Sequence, residues 1–154
     1  MQIIRSLLFQ NFPEIISGIS TKSGLKNNSP YNFNLSLTVG DDKSNVLNNR
    51  EIFYNELGLT TDKIAIQKQV HSDIITIVEN PGMIGESDAM ITVRKEIGLA
   101  VSTADCVPVF VYDKRNSIIS GIHTGWRGTQ KKILLKALYK LKEQFNSAAG
   151  DLYV

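Results

Sequence analysis

Apolar and polar residues alternate in short runs along most of this chain and shift to helical spacing at two places. A period of two marks a strand, and spacing of three and four marks one face of a helix. Residues 2–9 and 15–20 read as strands, separated by a turn at Asn11-Phe12-Pro13. Residues 21–33 (TKSGLKNNSPYNF) read as loop, and 34–39 (NLSLTV) as a short strand or extended segment. Val46, Phe53 and Leu57 then fall at helical spacing, after a candidate N-cap at Asp41-Asp42 and before a glycine stop at Gly58, which predicts a helix over about 43–57. Strands follow at 64–70, 74–78, 88–93, 98–103, 107–112 and 117–122. A second helix is predicted from Thr129, as N-cap, to Phe145, with Leu134, Leu138, Leu141 and Phe145 as its buried stripe. DLYV at 151–154 looks like a strand that starts and has nowhere to go. Many consecutive strands with few helices between them point to an α+β class: a layered mixed β-sheet with flanking helices.

Composition narrows the function. The 154 residues suffice for one domain with a real core. A net charge of +2 argues against a dedicated nucleic-acid binder, which normally carries a strong basic patch. Lys131 and Lys132 read as a solvated helix face. The longest apolar runs have strand length, short of the ~20 residues a spanning helix needs. MQIIRSLLFQNF does not read as a signal peptide, because Gln10 and Asn11 interrupt its apolar run and no small-residue cleavage site follows. The expectation is a cytoplasmic protein without a membrane partner, and a single cysteine agrees with that address.

With two histidines and one cysteine in the chain, any nitrogen–sulfur metal site must draw on His71, His123 and Cys106. In CVPVFVYDKRNSIISGIH (106–123), two strand-like runs flank DKRN, which predicts an antiparallel hairpin. If Tyr112 pairs with Ser117, Cys106 faces His123 at the open end. Facing Cβ atoms lie roughly 4.5–5.5 Å apart, a gap that one zinc ion bridges with bonds near ~2.3 Å to sulfur and ~2.0 Å to nitrogen. A slip of one residue breaks this arrangement. Local sequence does not bring His71, in QVHSD, to the other two; if it joins them, three ligands leave a fourth position open, the catalytic pattern of zinc. Two other readings stay open. Cys106 is a small buried residue and the histidines merely hydrogen-bonded, or Cys106 is a thiolate nucleophile activated by a histidine.

Thr124-Gly125-Trp126-Arg127-Gly128-Thr129 brackets an arginine with glycines ahead of a helix. Such a turn presents backbone N–H groups to an anion, and Arg127 adds a bidentate fork, so phosphate is a candidate ligand. The alternative is a tight turn with Trp126 packed in the core. Asp88 and Asp105 are each a candidate histidine orienter or proton carrier, or a strand-end cap. Arg50 is a second candidate for substrate or phosphate, against a solvated or ion-paired role.

Taken together and in order, GISTKSG, NFNLSLTVGDD, NNREIF, QKQVHSD, ESDAMIT, GLAVSTADCVPVFVYD and IISGIHTGWRGT resemble the YfiH-like family, also called the multicopper polyphenol oxidase (laccase-domain) and peptidoglycan editing factor family. The resemblance covers nearly the whole chain. It implies a compact fold with a layered mixed sheet and a His-Cys-His ligand set matching His71, Cys106 and His123. It implies zinc as the metal, with copper the lesser alternative. The activities it implies are phosphorolysis of adenosine, inosine, guanosine and methylthioadenosine and deamination of adenosine, so the partners are a purine nucleoside and phosphate. Two departures stand out. Ser72 replaces the family's usual glycine after the histidine, and family members continue well past DLYV, so residues 1–154 read as a single domain of this type without its C-terminal part. The rival functions are a cysteine hydrolase or editing factor acting on cell-wall precursors, and a non-catalytic metal-binding module. A laccase is disfavoured because two histidines cannot furnish several copper centres.

Overall fold

The computed structural model of the chain describes residues 2–23 and 30–154; part of the loop predicted at 21–33 therefore lies outside the described residues. The chain forms two compact units, residues 1–61 and 62–154.

In the first unit β1 (Ile3–Ile4) pairs antiparallel with β2 (Ile19–Ser20). The predicted strands at 2–9 and 15–20 are cut this short because Phe9–Asn11 turn into a 3-10 helix, where Asn11 Nδ2 donates to the carbonyls of Leu7 and Leu8 and Phe9 is buried. Helix α1 (Lys43–Glu56) forms where predicted. The Asp42 side chain accepts from Ser44 N at 2.7 Å. At the other end Gly58, at φ 74°, donates to Asn55 O while Leu59 N donates to Tyr54 O, the paired bonds of a Schellman stop. Residues 34–39 are not a strand. Asn34 Oδ1 accepts from Ser36 N at 2.9 Å, the hydroxyls of Ser36 and Thr38 bond each other, and Asn49 and Arg50 of α1 take the carbonyls of Asn34 and Leu35. Side-chain to backbone bonds of this kind compete with a ladder, and here they win.

The second unit holds two sheets. β3 (Ile64–Lys68) lies between two parallel neighbours, β5 (Gly82–Glu86) and β7 (Gly98–Ala100), with β4 (Ile75–Ile77) and β6 (Ala89–Thr92) belonging to the larger sheet. That sheet also contains β8 (Val107–Asp113), β9 (Ile118–Thr124) and, at its edge, β10 (Leu152–Tyr153), in the order β10-β8-β9-β6-β4. β4 and β6 are parallel and the remaining pairs antiparallel. β5 escaped the sequence reading because Gly82 and Gly85, both at positive φ, dilute its pattern. β10 does have a partner: Leu152 pairs with Asp113 and Tyr153 with Tyr112.

The second predicted helix is two. α2 (Trp126–Gln130) ends at Lys131, Lys132 turns left-handed at φ 61°, and α3 (Ile133–Phe145) follows. Thr129 therefore lies inside α2 rather than capping a helix. The buried stripe of α3 is Ile133, Ala137 and Leu141: Leu141 is buried as predicted, while Ile133 and Ala137 take the places expected of Leu134 and Leu138, which lie with Phe145 at the margin. It packs on Ala89, Ile91, Val111, Ile118 and Ile122. On the opposite face of β6, Met90 packs with Ala65, Val78 and Ile97, and Leu99 joins them. Gly121 of β9 admits this second sheet, since a Cβ there would sit 3.1 Å from Val101 and 3.5 Å from Leu99. The result is the mixed, layered fold the pattern implied.

Two outcomes test this packing. Leu141→Ala should lower stability by about 2–5 kcal/mol in urea denaturation, the range for removing a buried leucine. Asp113, buried at the hairpin end, accepts from Asn116 N at 2.9 Å and Asn116 Nδ2 at 2.8 Å. Burial pushes its carboxyl up, but hydrogen bonds outweigh this and leave it below its ordinary value. Such a group stabilises the fold above its unfolded value of about 4 and loses that contribution as pH falls through the lower folded value. Asp113→Asn should therefore be less stable than wild type near neutrality, with the gap closing towards pH 3. A gap that stays constant would exclude a charged Asp113 from the turn's stability.

Candidate metal centre

The hairpin closes with Asp113 opposite Ile118, so the register is displaced from the predicted one: His123 faces Pro108, and Cys106 lies just before β8. The displacement moves the partner of His123 by two residues. An even slip preserves which face a side chain takes, so Cys106 stays on His123's side of the hairpin as its diagonal neighbour. The predicted direct opposition was wrong; the convergence was not.

His71 completes the group. One ligand atom each from His71, Cys106 and His123 lies within 4.8 Å of the other two. Cys106 Sγ stands 3.9 Å from His71 Nε2, and the two imidazoles meet edge to face with centroids 4.8 Å apart. A tetrahedral zinc with bonds of about 2.0 and 2.3 Å separates its donors by roughly 3.3–3.6 Å, so rotamer adjustments of well under an ångström per donor close the set. His123 is buried, Cys106 half-buried and His71 exposed, which puts the group at the surface with access for a fourth ligand.

The backbone around the group is built to leave room for it. A Cβ on Gly125 would lie 2.7 Å from His71 Cδ2, 3.3 Å from Cys106 Sγ and 3.4 Å from His123 Cε1. Gly125 is thus glycine because the three donors occupy the space of a side chain, not because of its φ of −67°, which any residue adopts. Gly128 does the same for α2: a Cβ there would meet the Ser72 carbonyl at 3.0 Å. Two nitrogens and a sulfur within 4.8 Å of one another are the donor chemistry of zinc or copper(I), and the residues fit such an ion.

Four sets of bonds hold the ligand segments in place. Gln69 Nε2 donates to Ser102 O at 2.7 Å while Ser102 N donates to Gln69 Oε1 at 2.8 Å, clamping the His71 segment to the approach of Cys106. The hydroxyls of Thr103 and Thr124 donate to the carbonyls of Cys106 and Val107. Asp73, just past His71, pairs with Lys131 and Lys136, so the predicted solvated lysine face is partly an ion-paired one. Asp88 is fully buried between the two histidines and makes the densest set of bonds at the site. It accepts from Val70 N, His71 N, Ser72 N and Ser72 Oγ at 2.6–3.2 Å and from His123 Nδ1 at 2.8 Å. Burial pushes its carboxyl up, but the bonds from His123, Ser72 and Val70 outweigh it and hold it below the ordinary value. His71 itself sits at φ 57°, a left-handed conformation that costs a non-glycine residue of order 1–3 kcal/mol.

The remaining sequence candidates are placed differently. Asp105 is exposed. Trp126 is not packed in the core; it is 68% exposed, with the Arg127 guanidinium carbon 5.1 Å from its ring centroid. Arg127 is exposed at the start of α2, a helix of five residues. Arg50 belongs to the first unit, is buried rather than solvated, and donates its Nε to Leu35 O at 2.8 Å. Gly125 was missed as a site residue, and the signal was there: a glycine two positions after a candidate ligand, where the approach to a metal is tightest.

Fold and site together define an α+β protein with a surface His-Cys-His group that could hold a metal ion, carried on a mixed sheet. The chain belongs to the family described as multi-copper polyphenol oxidoreductase laccase, whose model matches residues 16–154. It is 37% identical over 123 residues to a protein of Clostridium acetobutylicum named purine nucleoside phosphorylase, covering 80% of this chain and 49% of that protein. It is 30% identical over 155 residues to YlmD of Bacillus subtilis, also named purine nucleoside phosphorylase, covering 94% and 56%. The crystal structures of YlmD from Geobacillus stearothermophilus and of the hypothetical protein YfiH from Bacillus licheniformis each superpose with a TM-score of 0.84 at 28% identity, covering 88% of this chain and 54% and 55% of theirs. The chain spans about half the length of the curated relatives it matches.

Gly125→Ala tests the fit of the cradle. It should weaken zinc binding by about tenfold or more in chelator competition, with circular dichroism checking that the metal-free chain still folds, because the added Cβ meets His71 Cδ2 at 2.7 Å and that exposed ring must shift. Unchanged zinc affinity would mean that these three side chains do not hold the metal.

Proposed function

We propose that this chain carries the metal centre of a zinc-dependent purine nucleoside enzyme, acting by phosphorolysis of adenosine, inosine, guanosine and methylthioadenosine and by deamination of adenosine. The observation that carries the proposal is the three-donor group His71, Cys106 and His123 around the space kept clear by Gly125. Relatives named purine nucleoside phosphorylase supply the substrate class. With two histidines and one cysteine in the chain, a site of this kind keeps a fourth position for substrate or water. Zinc bound there supplies Lewis acidity at that open position. His71, Cys106 and His123 hold it, and Asp88 holds His123. Arg127, exposed two residues past Gly125, is the residue we assign to phosphate, as a charged fork for an oxyanion. Arg50, whose Nε is committed to Leu35, is the weaker of the two assignments. No helix among the described residues is long and apolar enough to cross a membrane. We place the activity in the cytoplasm, because a lone thiol that serves as a ligand must stay reduced. A set of several coppers is not supported, since the donors present make one centre.

A second reading has an observation of its own. The 3.9 Å approach of Cys106 Sγ to His71 Nε2 is also that of a loosely paired cysteine nucleophile and base, which fits a hydrolase of cell-wall precursors. Metal content separates the two. Zinc retained at one equivalent through dialysis supports the first reading, and alkylation of Cys106 by iodoacetamide without loss of metal supports the second. The decisive measurement is phosphate-dependent release of adenine, and formation of inosine, from adenosine by the zinc-loaded protein and by Cys106→Ala. The variant should lose at least about a hundredfold in rate, as expected when a ligand of a catalytic metal is removed. Equal rates would remove the assignment of the site.

A further inference from the structure

We infer that Asp88 is the positioning residue of the metal centre, a single buried carboxylate that presets both histidines for the ion. Oδ1 bridges the two histidines, accepting from His123 Nδ1–H at 2.8 Å and from His71 N at 3.1 Å, while the main chain of His123 donates to the Asp88 carbonyl at 2.7 Å. A neutral imidazole carries one N–H, so this bond fixes the Nδ1–H tautomer and leaves the Nε2 lone pair for the metal. Both oxygens sit in a nest of successive main-chain N–H groups, His71 N on Oδ1 and Val70 N and Ser72 N on Oδ2. That nest exists only while His71 holds its left-handed conformation, the one from which its Nε2 comes to 3.9 Å from the thiol. Asp88 thus compensates for the strain at His71 and selects the tautomer of His123 at once. Ser72 adds a further donor through its hydroxyl, 2.7 Å from Oδ2.

The inference rests on the three-donor site, and its test keeps the two apart. Zinc alone is titrated against a chromophoric chelator, and the imidazole tautomers are read by two-bond proton–nitrogen correlation on the metal-free, nitrogen-15-labelled chain near pH 7.5. The two histidines make assignment direct. His123 in the wild-type chain should show a protonated Nδ1 and a bare Nε2 before any zinc is added. Asp88→Asn, checked for folding by circular dichroism, should lose that signature and bind zinc about 10–100-fold more weakly. Ser72→Ala, which removes one donor and leaves the His123 bond, should weaken zinc only a few-fold with the tautomer retained. If Asp88→Asn does not fold, the wild-type tautomer and Ser72→Ala decide. A protonated Nε2 on His123, or a folded Asp88→Asn chain with wild-type tautomer and zinc affinity, overturns the role given to Asp88. Failure of the wild-type chain to bind zinc overturns the centre itself.

Discussion

A carboxylate with no exposure to water must be surrounded by donors, and the 62–154 unit is organised around satisfying one. Asp88 lies immediately ahead of β6, whose residues are buried on both faces, so its side chain has no route to solvent. An uncompensated charge in such a place would cost several kcal/mol. The compensation comes from three consecutive amides, a hydroxyl and an imidazole, contributed by two separate segments. Those two segments are the ones that carry the histidine ligands. The demand for charge satisfaction and the demand for a preorganised donor set are therefore met by the same bonds, and loss of the carboxylate would disturb both together.

The sheet and helices make this arrangement rigid. β9 delivers His123 from the middle of a five-stranded sheet, held by β6 on one side and β8 on the other. Immediately after β9 the chain must leave room for the donors, which Gly125 does, and then turn onto the sheet, which the left-handed Lys132 does. The short α2 is the consequence: it spans the distance between a crowded metal cradle and the hydrophobic face where α3 settles. Gly128 lets α2 lie against the Ser72 carbonyl, so the helix also supports the turn that carries His71. Exposed ligands on flexible loops would have to be ordered by the metal; here the ordering is largely done by the fold.

The functional reading follows from what such a centre offers. Three protein donors at a surface would leave one position on a bound ion open, and the substrate class proposed for it comes from relatives named purine nucleoside phosphorylase. The exposed Trp126 and Arg127 stand beside this position in sequence and present an aromatic face and a charged fork. Both are of the kind that a base and an oxyanion use. The chain spans about half of the relatives' length.

The sequence by itself determined the elements with strong local chemistry. Asp42 and Gly58 bound α1 because a carboxylate cap and a left-handed glycine act within one turn. The strands of the large sheet are legible as β-branched runs, and Cys106, His71 and His123 are legible as the only nitrogen–sulfur donors available. The tertiary structure decided whatever depends on neighbours distant in the chain. Residues 34–39 alternate like a strand, yet Asn49 and Arg50 claim their carbonyls. The hairpin register moved by two because the turn closes on Asp113, with Asn116 bonded to its carboxylate, rather than on Tyr112. Asp88 and Asp105 look alike in sequence. Burial beside His123 alone distinguishes them, because local pattern encodes which face a residue takes but not which residues of another segment will need its charge.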